Sequence, residues 1–310
     1  MTRSKLSVQL VKNRGRDLTL SNPVIAASGT FGYGTEYADV IDIQRLGAII
    51  CKGTTLEPRE GNPSPRLVET ASGLLNSIGL ENIGVEAVIR EKARMWSQWQ
   101  VPVVVNVAGE TVDEYTQMAS ALDGVEGVAG LEVNISCPNL TEGGIDFGTS
   151  SKGTSQVISS MRKETNLPLI AKLTPNVTDI TETARAAADA GADCITVANT
   201  FKGMAIDTAG RHPVLGNTVG GLSGPAIKPQ ALYLVFTVAG AVDVPVIGCG
   251  GITTARDALE FIMAGASAIE VGTATFNDPG TMLKIVDGIY EFLEKERVSG
   301  ITELIGAANL

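Results

Sequence analysis

The stretch VPVIGCGGITTARDALEFIMAGASAIEVGTA, residues 244–274, holds the pattern that decides the fold. A short apolar run ends in a cluster of glycines, a helix-like segment follows, and a second apolar run again ends in glycine. Short apolar runs without polar alternation are typical of strands that are buried on both faces of a parallel sheet. The stretch therefore predicts a strand–helix–strand unit.

Runs of the same kind recur along the whole chain. They occupy residues 23–29, 48–53, 101–109, 130–138, 167–175, 194–200, 244–251 and 268–274. Helix-like segments such as residues 180–192 lie between most of them. This repetition predicts an α/β fold of the (β/α)₈ TIM-barrel type. A doubly wound sheet is the alternative, but the chain has no GxGxxG fingerprint after a strand.

Two segments do not fit a bare barrel. Residues 6–22 have the pattern of an N-terminal hairpin, which we expect to cap the bottom of the barrel. Residues 201–224 form a long insertion after the sixth strand, predicted as a loop, and long loops in compact domains are often functional. No linker or low-complexity tract interrupts the pattern, so residues 1–310 are expected to form a single domain.

The composition narrows the class of protein. The 310 residues are 44% hydrophobic and 19% charged, which is typical of a globular chain. A net charge of −10 without a Lys/Arg cluster argues against nucleic-acid binding. The start lacks the apolar core of a signal peptide, and no apolar run has membrane-spanning length. We therefore expect a cytoplasmic protein that does not bind membranes.

In barrels of this type the chemistry lies at the C-terminal ends of the strands. Each predicted strand ends in polar residues or glycine, namely Ser28, Lys52, Asn106, Asn134, Lys172, Asn199 with Thr200, Gly250 with Gly251, and Gly272 with Thr273. Together these ends predict one polar mouth above an apolar barrel.

Two lysines and three asparagines have alternative interpretations. Lys52 and Lys172 stand inside apolar runs, where a lysine either pairs with an internal carboxylate or faces an anionic ligand or developing negative charge. Asn106, Asn134 and Asn199 either satisfy loop backbone or bind a planar ring that carries C=O and N–H groups. For both sets the ligand-binding interpretation is favoured, because the residues recur on different strands.

The glycine-rich ends of the last two strands are more specific. Residues 248–252, GCGGI, and residues 271–274, VGTA, match the phosphate-binding position of this fold, where backbone N–H groups and a helix N-terminus bind the anion. The alternative is that these glycines only permit turns.

The chain has four cysteines, without a CxxC pair that would indicate a metal or iron–sulfur site. Cys137 follows a polar strand end and precedes Pro138, so it is either a structural thiol or a catalytic acid/base. A Cys–His nucleophile is poorly supported, because the single histidine, His212, is expected at the surface of a loop. The remaining cysteines are expected to be small core residues: Cys51, Cys194 and Cys249.

Long stretches of the chain resemble the class 1 dihydroorotate dehydrogenases, flavin enzymes of pyrimidine synthesis. The matching stretches are SNPVIAASGTFGYG (21–34), KGTTLEPREGNPSPRLVETASGLLNSIGLEN (52–82), VNISCPN (133–139), KLTPNVTDI (172–180), ANTFKGMAID (198–207), GGLSGPAIKP (220–229), GCGGI and VGTA. The stretch GGLSGPAIKP, with Ser223, is most similar to class 1B, whose members work beside a second subunit.

The resemblance implies a barrel with FMN at its mouth. The implied FMN contacts are Ser28, Lys52, Gly53, Asn106, Asn134, Lys172, Ala198, Gly224, Gly250, Gly251, Gly272 and Thr273. The implied substrate contacts are Lys52, Asn76, Ser77, Ile78, Gly79, Leu80, Asn134, Asn199 and Thr200. By the same match Cys137 is the catalytic base, and no metal is implied.

The resemblance also implies the reaction. Dihydroorotate becomes orotate as a hydride leaves C6 for the flavin and Cys137 takes a proton from C5, while Lys172 stabilises negative charge on the reduced flavin. In class 1B the electrons reach NAD⁺ through a partner subunit with FAD and a 2Fe–2S cluster, around a homodimer core within a heterotetramer.

Three alternatives remain open at the level of sequence. They are a fumarate-using class 1A enzyme, a dihydropyrimidine dehydrogenase that acts on uracil or thymine, and a phosphate-binding aldolase or isomerase without a redox cofactor. One departure from the family pattern is FGTSSKGTS, residues 147–155, where relatives usually have Asp-Pro-Glu after FG. With Gly143, Gly144, Gly148 and Gly153, this segment is expected to act as a mobile lid.

Overall fold

The computed structural model describes residues 5–12, 17–136 and 147–309. The strands are β1 (Val8–Val11), β2 (Leu18–Leu20), β3 (Val24–Ala26), β4 (Ala48–Ile50), β5 (Leu67–Thr70), β6 (Gly73–Asn76), β7 (Val103–Val107), β8 (Gly130–Asn134), β9 (Leu169–Lys172), β10 (Cys194–Val197), β11 (Phe201–Gly203), β12 (Ile206–Asp207), β13 (His212–Pro213), β14 (Gly220–Ser223), β15 (Val246–Cys249) and β16 (Ala266–Val271).

The helices surround the strands. They are α1 (Val85–Ala87), α2 (Arg94–Trp96), α3 (Val112–Leu122), α4 (Ser151–Glu164), α5 (Ile180–Asp189), α6 (Lys228–Ala239), α7 (Ala255–Met263), α8 (Ala274–Asn277) and α9 (Thr281–Glu296). A π-helical turn, Val88–Ala93, joins α1 to α2, and short 3₁₀ turns occupy Ile43–Arg45, Phe147–Thr149, Pro225–Ile227 and Ile301–Leu304. Across the described ranges, none of these helices is both long enough and apolar enough to cross a membrane.

Eight parallel strands close into a barrel in the order β10-β15-β16-β3-β4-β7-β8-β9. Closure is direct, because β9 pairs with β8 on one side and with β10 on the other. Most of these strands are buried along their whole length, since the barrel interior covers one face and the helices cover the other. The predicted TIM barrel is confirmed, and a doubly wound sheet is excluded because that sheet would be open.

Side-chain caps fix where the outer helices begin. Thr111, Ser150, Asp179 and Thr254 each accept a hydrogen bond from a backbone N–H in the first turn of α3, α4, α5 and α7 respectively. Such a cap satisfies an N–H group that would otherwise lack a partner, and its loss typically costs about 1 kcal/mol. These helix starts follow the strand ends that form the mouth of the barrel.

The N-terminal hairpin is confirmed, with β1 antiparallel to β2. Leu10 and Leu20 are fully buried, and they belong to one apolar cluster with Ile50, Val104 and Ile247 of the barrel strands. The hairpin therefore closes the barrel at the end opposite the polar strand ends.

The insertion after the sixth strand is more regular than the predicted loop. Two of its segments, β11 and β14, pair with each other, and β14 continues onto β6 and β5 to make a four-stranded antiparallel sheet. A second pair, β12 with β13, forms a short hairpin. The predicted insertion after the sixth strand is confirmed. Its strands were not predicted, because strands this short and half-buried leave almost no apolar pattern in the sequence.

The predicted lid at residues 147–155 is also corrected. Phe147 packs edge-on against Tyr115 at 6.2 Å between ring centroids, and Gly148 donates its N–H to the carbonyl of Ile135 at 2.9 Å. Ser150 caps α4, and Gly153 lies inside that helix. These residues are thus the anchored start of α4, while Gly143 and Gly144 lie outside the described residues.

Candidate functional site: the mouth of the barrel

Lys172, at the end of β9, sits within a buried cluster of charged residues. Its Nζ lies 2.6 Å from a carboxylate oxygen of Glu270 and 3.3 Å from one of Glu132. Its exposed fraction is 5%, and those of Glu132 and Glu270 are 0% and 1%. The sequence left two interpretations of this lysine open. The structure shows the one in which Lys172 pairs with internal carboxylates.

The charges in this cluster shift one another's pKa values. Burial opposes the charged form of Lys172, but Glu132 and Glu270 outweigh it, so the pKa of the ammonium is raised. Burial and the negative charge of Glu270 raise the pKa of Glu132 to about 8. Burial also opposes ionisation of Glu270, yet Lys172 holds its pKa below the ordinary value. Glu132 is therefore the group that retains a proton near neutral pH.

Glu132, Glu270 and Thr196 were missed by sequence reasoning. Thr196 lies on β10 between the two carboxyl groups, with its hydroxyl 3.2 Å from Glu132 and 3.1 Å from Glu270. The two glutamates could have been found as the lysines were, because each is a charged residue inside an apolar strand run, where it needs a partner or a ligand.

Asn106 on β7 is held in one orientation by the same cluster. Its Nδ2 donates to Glu132 at 2.6 Å. Its Oδ1 is buried and has no hydrogen-bond partner among the described residues. A buried acceptor without a donor is costly, about 1–3 kcal/mol, unless a bound molecule supplies one.

Asn134 and Asn199 are brought together, as the predicted mouth requires. Nδ2 of Asn199 donates to Oδ1 of Asn134 at 3.2 Å, and the N–H of Ser136 donates to the same oxygen at 3.2 Å. Tyr115 donates its hydroxyl to the backbone carbonyl of Asn134 at 2.7 Å, which fixes the end of β8. Thr200 follows directly, and its N–H donates to the Asn199 side chain at 2.8 Å.

Residues 76–80 form a braced loop at the rim. Asn76 donates to the carbonyl of Gly221 at 3.2 Å, and Asn62 donates to the hydroxyl of Ser77 at 2.9 Å. The backbone N–H of Asn62 donates to the carbonyl of Ile78 at 2.9 Å. Gly79 and Leu80 both have positive φ angles, 74° and 57°, so the loop turns sharply at this point.

Lys52 and Gly53 follow β4. Lys52 is half-buried, and in the ranges that the structure describes its ammonium makes no hydrogen bond or ion pair. Gly53 is buried, and a Cβ there would lie 3.1 Å from Oδ1 of Asn106 and 3.2 Å from the Leu80 side chain. Gly53 therefore lies beside the amide oxygen of Asn106 and the loop of residues 76–80, and Lys52 directly precedes it.

The glycines at the ends of the last strands adjoin the end of the insertion. A Cβ on Gly251 would lie 2.8 Å from the carbonyl oxygen of Gly224, and Gly251 has a φ of +73°. Thr273 donates to the hydroxyl of Ser223 at 2.8 Å, next to Gly224. Such a group of glycines and hydroxyls suits a phosphate, because backbone N–H groups can approach it closely.

The other predicted contacts also lie at strand ends. Ser28 is half-buried after β3, Ala198 is almost fully buried after β10, and Gly250 has a φ of +136° after β15. Gly272 differs, because a Cβ there would meet its neighbours only at 3.5 Å, which is ordinary contact. Backbone crowding therefore does not require a glycine at position 272.

Cys137, the predicted base, lies outside the described residues. Cys51 and Cys194 are fully buried, as predicted for core residues, and burial raises the pKa of the Cys51 thiol to about 12. Cys249 is only half-buried at the end of β15, so the prediction of a core residue is wrong for this cysteine. Burial raises the pKa of its thiol, and the nearby charge of Glu270 raises it further. His212 is exposed, as predicted, with its Nδ1 2.8 Å from the carbonyl oxygen of Pro213.

Comparison with known proteins identifies the family. The sequence profile of a family described as dihydroorotate dehydrogenase matches residues 11–293. A Pelobacter propionicus protein named dihydroorotate dehydrogenase B (NAD(+)), catalytic subunit, is 54% identical over 94% of this chain and 95% of its own length. Proteins with the same name from Desulforamulus reducens and Geotalea daltonii are 54% and 50% identical, over 94% and 100% of this chain and 96% and 100% of their own lengths.

These relatives carry the name that distinguishes class 1B, which the stretch GGLSGPAIKP predicts. Both the resemblance and its subclass are confirmed, and the aldolase or isomerase alternative is set aside. The chain belongs to the dihydroorotate dehydrogenase family.

Proposed function

We propose that this chain oxidises dihydroorotate to orotate with bound FMN, as the catalytic subunit of a class 1B enzyme that passes its electrons to NAD⁺. Residues 1–310 would form the single FMN-binding barrel domain. The observation that carries the proposal is the buried Oδ1 of Asn106, an acceptor in the mouth that no described residue satisfies. A flavin ring presents an N–H donor beside carbonyl acceptors, so it can satisfy this oxygen and use the neighbouring donors.

The residues at the mouth fit FMN in one further respect. The group formed by Gly224, Gly251, Ser223 and Thr273 suits its phosphate. The residues that would hold the cofactor are Ser28, Lys52, Gly53, Asn106, Asn134, Lys172, Ala198, Gly224, Gly250, Gly251, Gly272 and Thr273.

Bound FMN supplies the acceptor for the hydride that leaves C6 of the substrate. Lys172 places a fixed positive charge at the end of β9, where it stabilises negative charge that develops during reduction. Cys137, as a thiolate, takes the proton from C5. In this proposal Lys172 compensates the negative charge that develops on reduction, and Cys137 accepts the proton that the substrate loses.

The pyrimidine ring is bound by the paired amides and the rim. Asn134 and Asn199 already form one amide pair, so their remaining donors and acceptors face a ligand in a fixed relation. The contacts along the rim are Asn76, Ser77, Ile78, Gly79, Leu80 and Thr200. Lys52 meets the substrate carboxylate, because its ammonium has no partner within the described ranges.

The electron acceptor belongs to a second subunit. The relatives are named as catalytic subunits of NAD(+) enzymes, which supports a partner with FAD and a 2Fe–2S cluster. We infer a homodimer of this chain at the core of a heterotetramer. We also infer a cytoplasmic location, which the free thiols of Cys51, Cys194 and Cys249 support.

The central experiment is anaerobic titration of the purified, FMN-loaded chain with dihydroorotate. We expect the yellow flavin absorbance to bleach and orotate to form in equal amount. Uracil and dihydrouracil serve as matched controls, since they lack the carboxylate that Lys52 would bind. A flavin that bleaches with dihydrouracil but not with dihydroorotate would exclude the proposed substrate.

A variant tests the proton acceptor in the same assay. Cys137→Ser should slow flavin reduction by about 10²–10⁴-fold at neutral pH, because a hydroxyl is a far weaker base than a thiolate. Orotate binding, followed by the shift of the flavin spectrum, should be nearly unchanged. An unchanged reduction rate would remove Cys137 from this role.

A further inference from the structure

The hydrogen bonds of the Thr196 hydroxyl indicate how many protons Glu132 and Glu270 hold together. A hydroxyl has one hydrogen to donate, yet Oγ1 of Thr196 lies 3.2 Å from Glu132 and 3.1 Å from Glu270. Its one hydrogen can make a linear hydrogen bond to only one of the two carboxyl groups. The other contact becomes a full hydrogen bond when that carboxyl group carries a proton and donates to Thr196.

The charges of the surrounding groups lead to the same count. Lys172 is the cation of the cluster, and Asn106 contributes a neutral amide on β7. Cys249 on β15 and Cys51 after β4 are neutral thiols, because burial raises the pKa of each. Two ionised glutamates would therefore leave one uncompensated negative charge in the interior, where an unpaired charge is expensive. One proton on the pair makes the cluster neutral.

We propose that Glu132 and Glu270 are positioning residues that hold Lys172 in place and share one proton, so that the cluster beneath the mouth is neutral and becomes negative when that proton leaves. The link to catalysis rests on the proposed function, since Lys172 is the residue through which the glutamates act. The proton count itself rests only on the contacts within the barrel.

The titration of the pair sets the pH at which this change occurs. Burial and the charge of Glu270 raise the pKa of Glu132 to about 8. Lys172 and Thr196 favour the ionised form of Glu270. The two carboxyl groups titrate as one unit. At pH 7 the pair holds one proton, so the cluster that includes Lys172 is neutral, and this proton leaves as the pH rises through about 8.

Loss of the proton would be sensed by a bound flavin. With the proton present, Lys172 and Glu270 compensate each other and Glu132 adds no charge. Without it, a second negative charge lies beside Lys172 and opposes the negative charge of reduced flavin. The reduction potential of the flavin should then fall more steeply with pH above about 8 than below it.

The direct test is NMR titration of the chain labelled with ¹³C at the glutamate carboxyl carbons, loaded with FMN and without substrate. We expect one carboxyl resonance to titrate near pH 8, where solvent-exposed glutamates have long been ionised. Glu132→Gln should abolish this transition. Glu126→Gln, which changes an exposed glutamate that precedes β8, should leave it unchanged.

A second variant tests the coupling between the two carboxyl groups. Glu270→Gln removes the neighbouring negative charge, so the remaining transition of Glu132 should move to lower pH by at least about one unit. The pH dependence of the flavin potential should lose its break in Glu132→Gln but keep it in Glu126→Gln. Glutamine has the shape of a protonated glutamate, so we expect Glu132→Gln to fold.

The outcomes separate this inference from the proposed function. The proposal of a shared proton is wrong if every glutamate carboxyl resonance titrates in the ordinary range. It is also wrong if Glu270→Gln leaves the midpoint of the Glu132 transition unchanged. If the transition near pH 8 is present and dihydroorotate does not bleach the flavin, the cluster stands and the substrate assignment fails. If Glu132→Gln does not fold, the Glu270→Gln midpoint decides.

Discussion

Lys52 follows β4 and Lys172 ends β9, both at the C-terminal ends of barrel strands, but their surroundings are opposite. Lys172 is buried between two carboxyl groups, at 2.6 and 3.3 Å. Lys52 is half-buried at the mouth, and its ammonium has no partner within the described part of the chain. The interior thus fixes its charges before any ligand arrives, whereas the mouth leaves a charge to be paired by the ligand. We therefore expect the first arrangement to stabilise both the fold and the reaction, and the second to affect binding alone.

The largest expected effect comes from Lys172→Met. The substitution leaves two buried carboxyl groups without a cation, so the free energy of unfolding should fall by about 3–5 kcal/mol. Flavin reduction by dihydroorotate should slow by about 10²–10³-fold, because a fixed charge in a dry site is lost. Chemical denaturation and anaerobic stopped-flow absorbance measure the two effects.

A double variant separates the two roles of Lys172. Adding Glu270→Gln removes one of the stranded carboxylates, so Lys172→Met/Glu270→Gln should recover part of the lost stability. It should not recover the reduction rate. Recovery of both would mean that Lys172 serves the fold alone.

Lys52→Met should affect binding without affecting stability. We expect orotate affinity to fall by about 10–100-fold, because a charge-assisted contact is worth roughly 1.5–3 kcal/mol. The free energy of unfolding should change by less than about 0.5 kcal/mol, since the substitution removes no side-chain hydrogen bond or ion pair within the described residues and methionine retains an apolar stem. Lys163→Met, on an exposed turn of α4, is the matched control for the loss of one positive charge.

The free energy of unfolding should depend on pH through the buried cluster and not through the mouth, and this effect should be smaller than those of the lysine variants. The pKa of Glu132 is raised, so its contribution is fully present below the ordinary glutamate value and is lost as the pH rises through about 8. The lowered pKa of Glu270 acts only in acid, and the raised pKa of Lys172 acts only in strong base. Between pH 6.5 and 9, wild type should lose about 2 kcal/mol relative to Glu132→Gln, and most of this loss should occur below pH 8.

Salt should have the smallest effect and should act at the mouth. Raising the ionic strength should weaken dihydroorotate binding by roughly a few-fold, because Lys52 is partly exposed and its attraction to a carboxylate is screened. The carboxyl transition near pH 8 should hardly move, because the cluster is buried. A large salt shift of that transition would show that water reaches the cluster.

The sequence predicts the barrel well because its strands are buried on both faces and therefore appear as apolar runs. It also predicts which residues end those strands, and hence the mouth. The partners of Lys172 are harder to foresee, because Glu132 and Glu270 lie 40 and 98 residues away along the chain. Their contact depends on barrel closure, which no local pattern encodes.

The sheet over the mouth was missed for a related reason. Asn76 and Gly221 are joined across 145 residues, by strands only four residues long in β6 and β14. Half-buried strands of this length have no clear alternation of apolar and polar residues. The role of Cys137 depends on the family resemblance, because the thiol lies outside the described residues.

Within the part of the chain that the structure describes, the N-terminal hairpin covers the end of the barrel opposite the mouth. Leu10 and Leu20 close its far end with an apolar plug, so water and ions do not reach the cluster from that side. A proton that leaves Glu132 must travel through the mouth, which is also where the cofactor would lie. If FMN binds as proposed, it covers the route by which Glu132 exchanges its proton, so we expect this exchange to be slower in the FMN-loaded chain than in the chain without FMN.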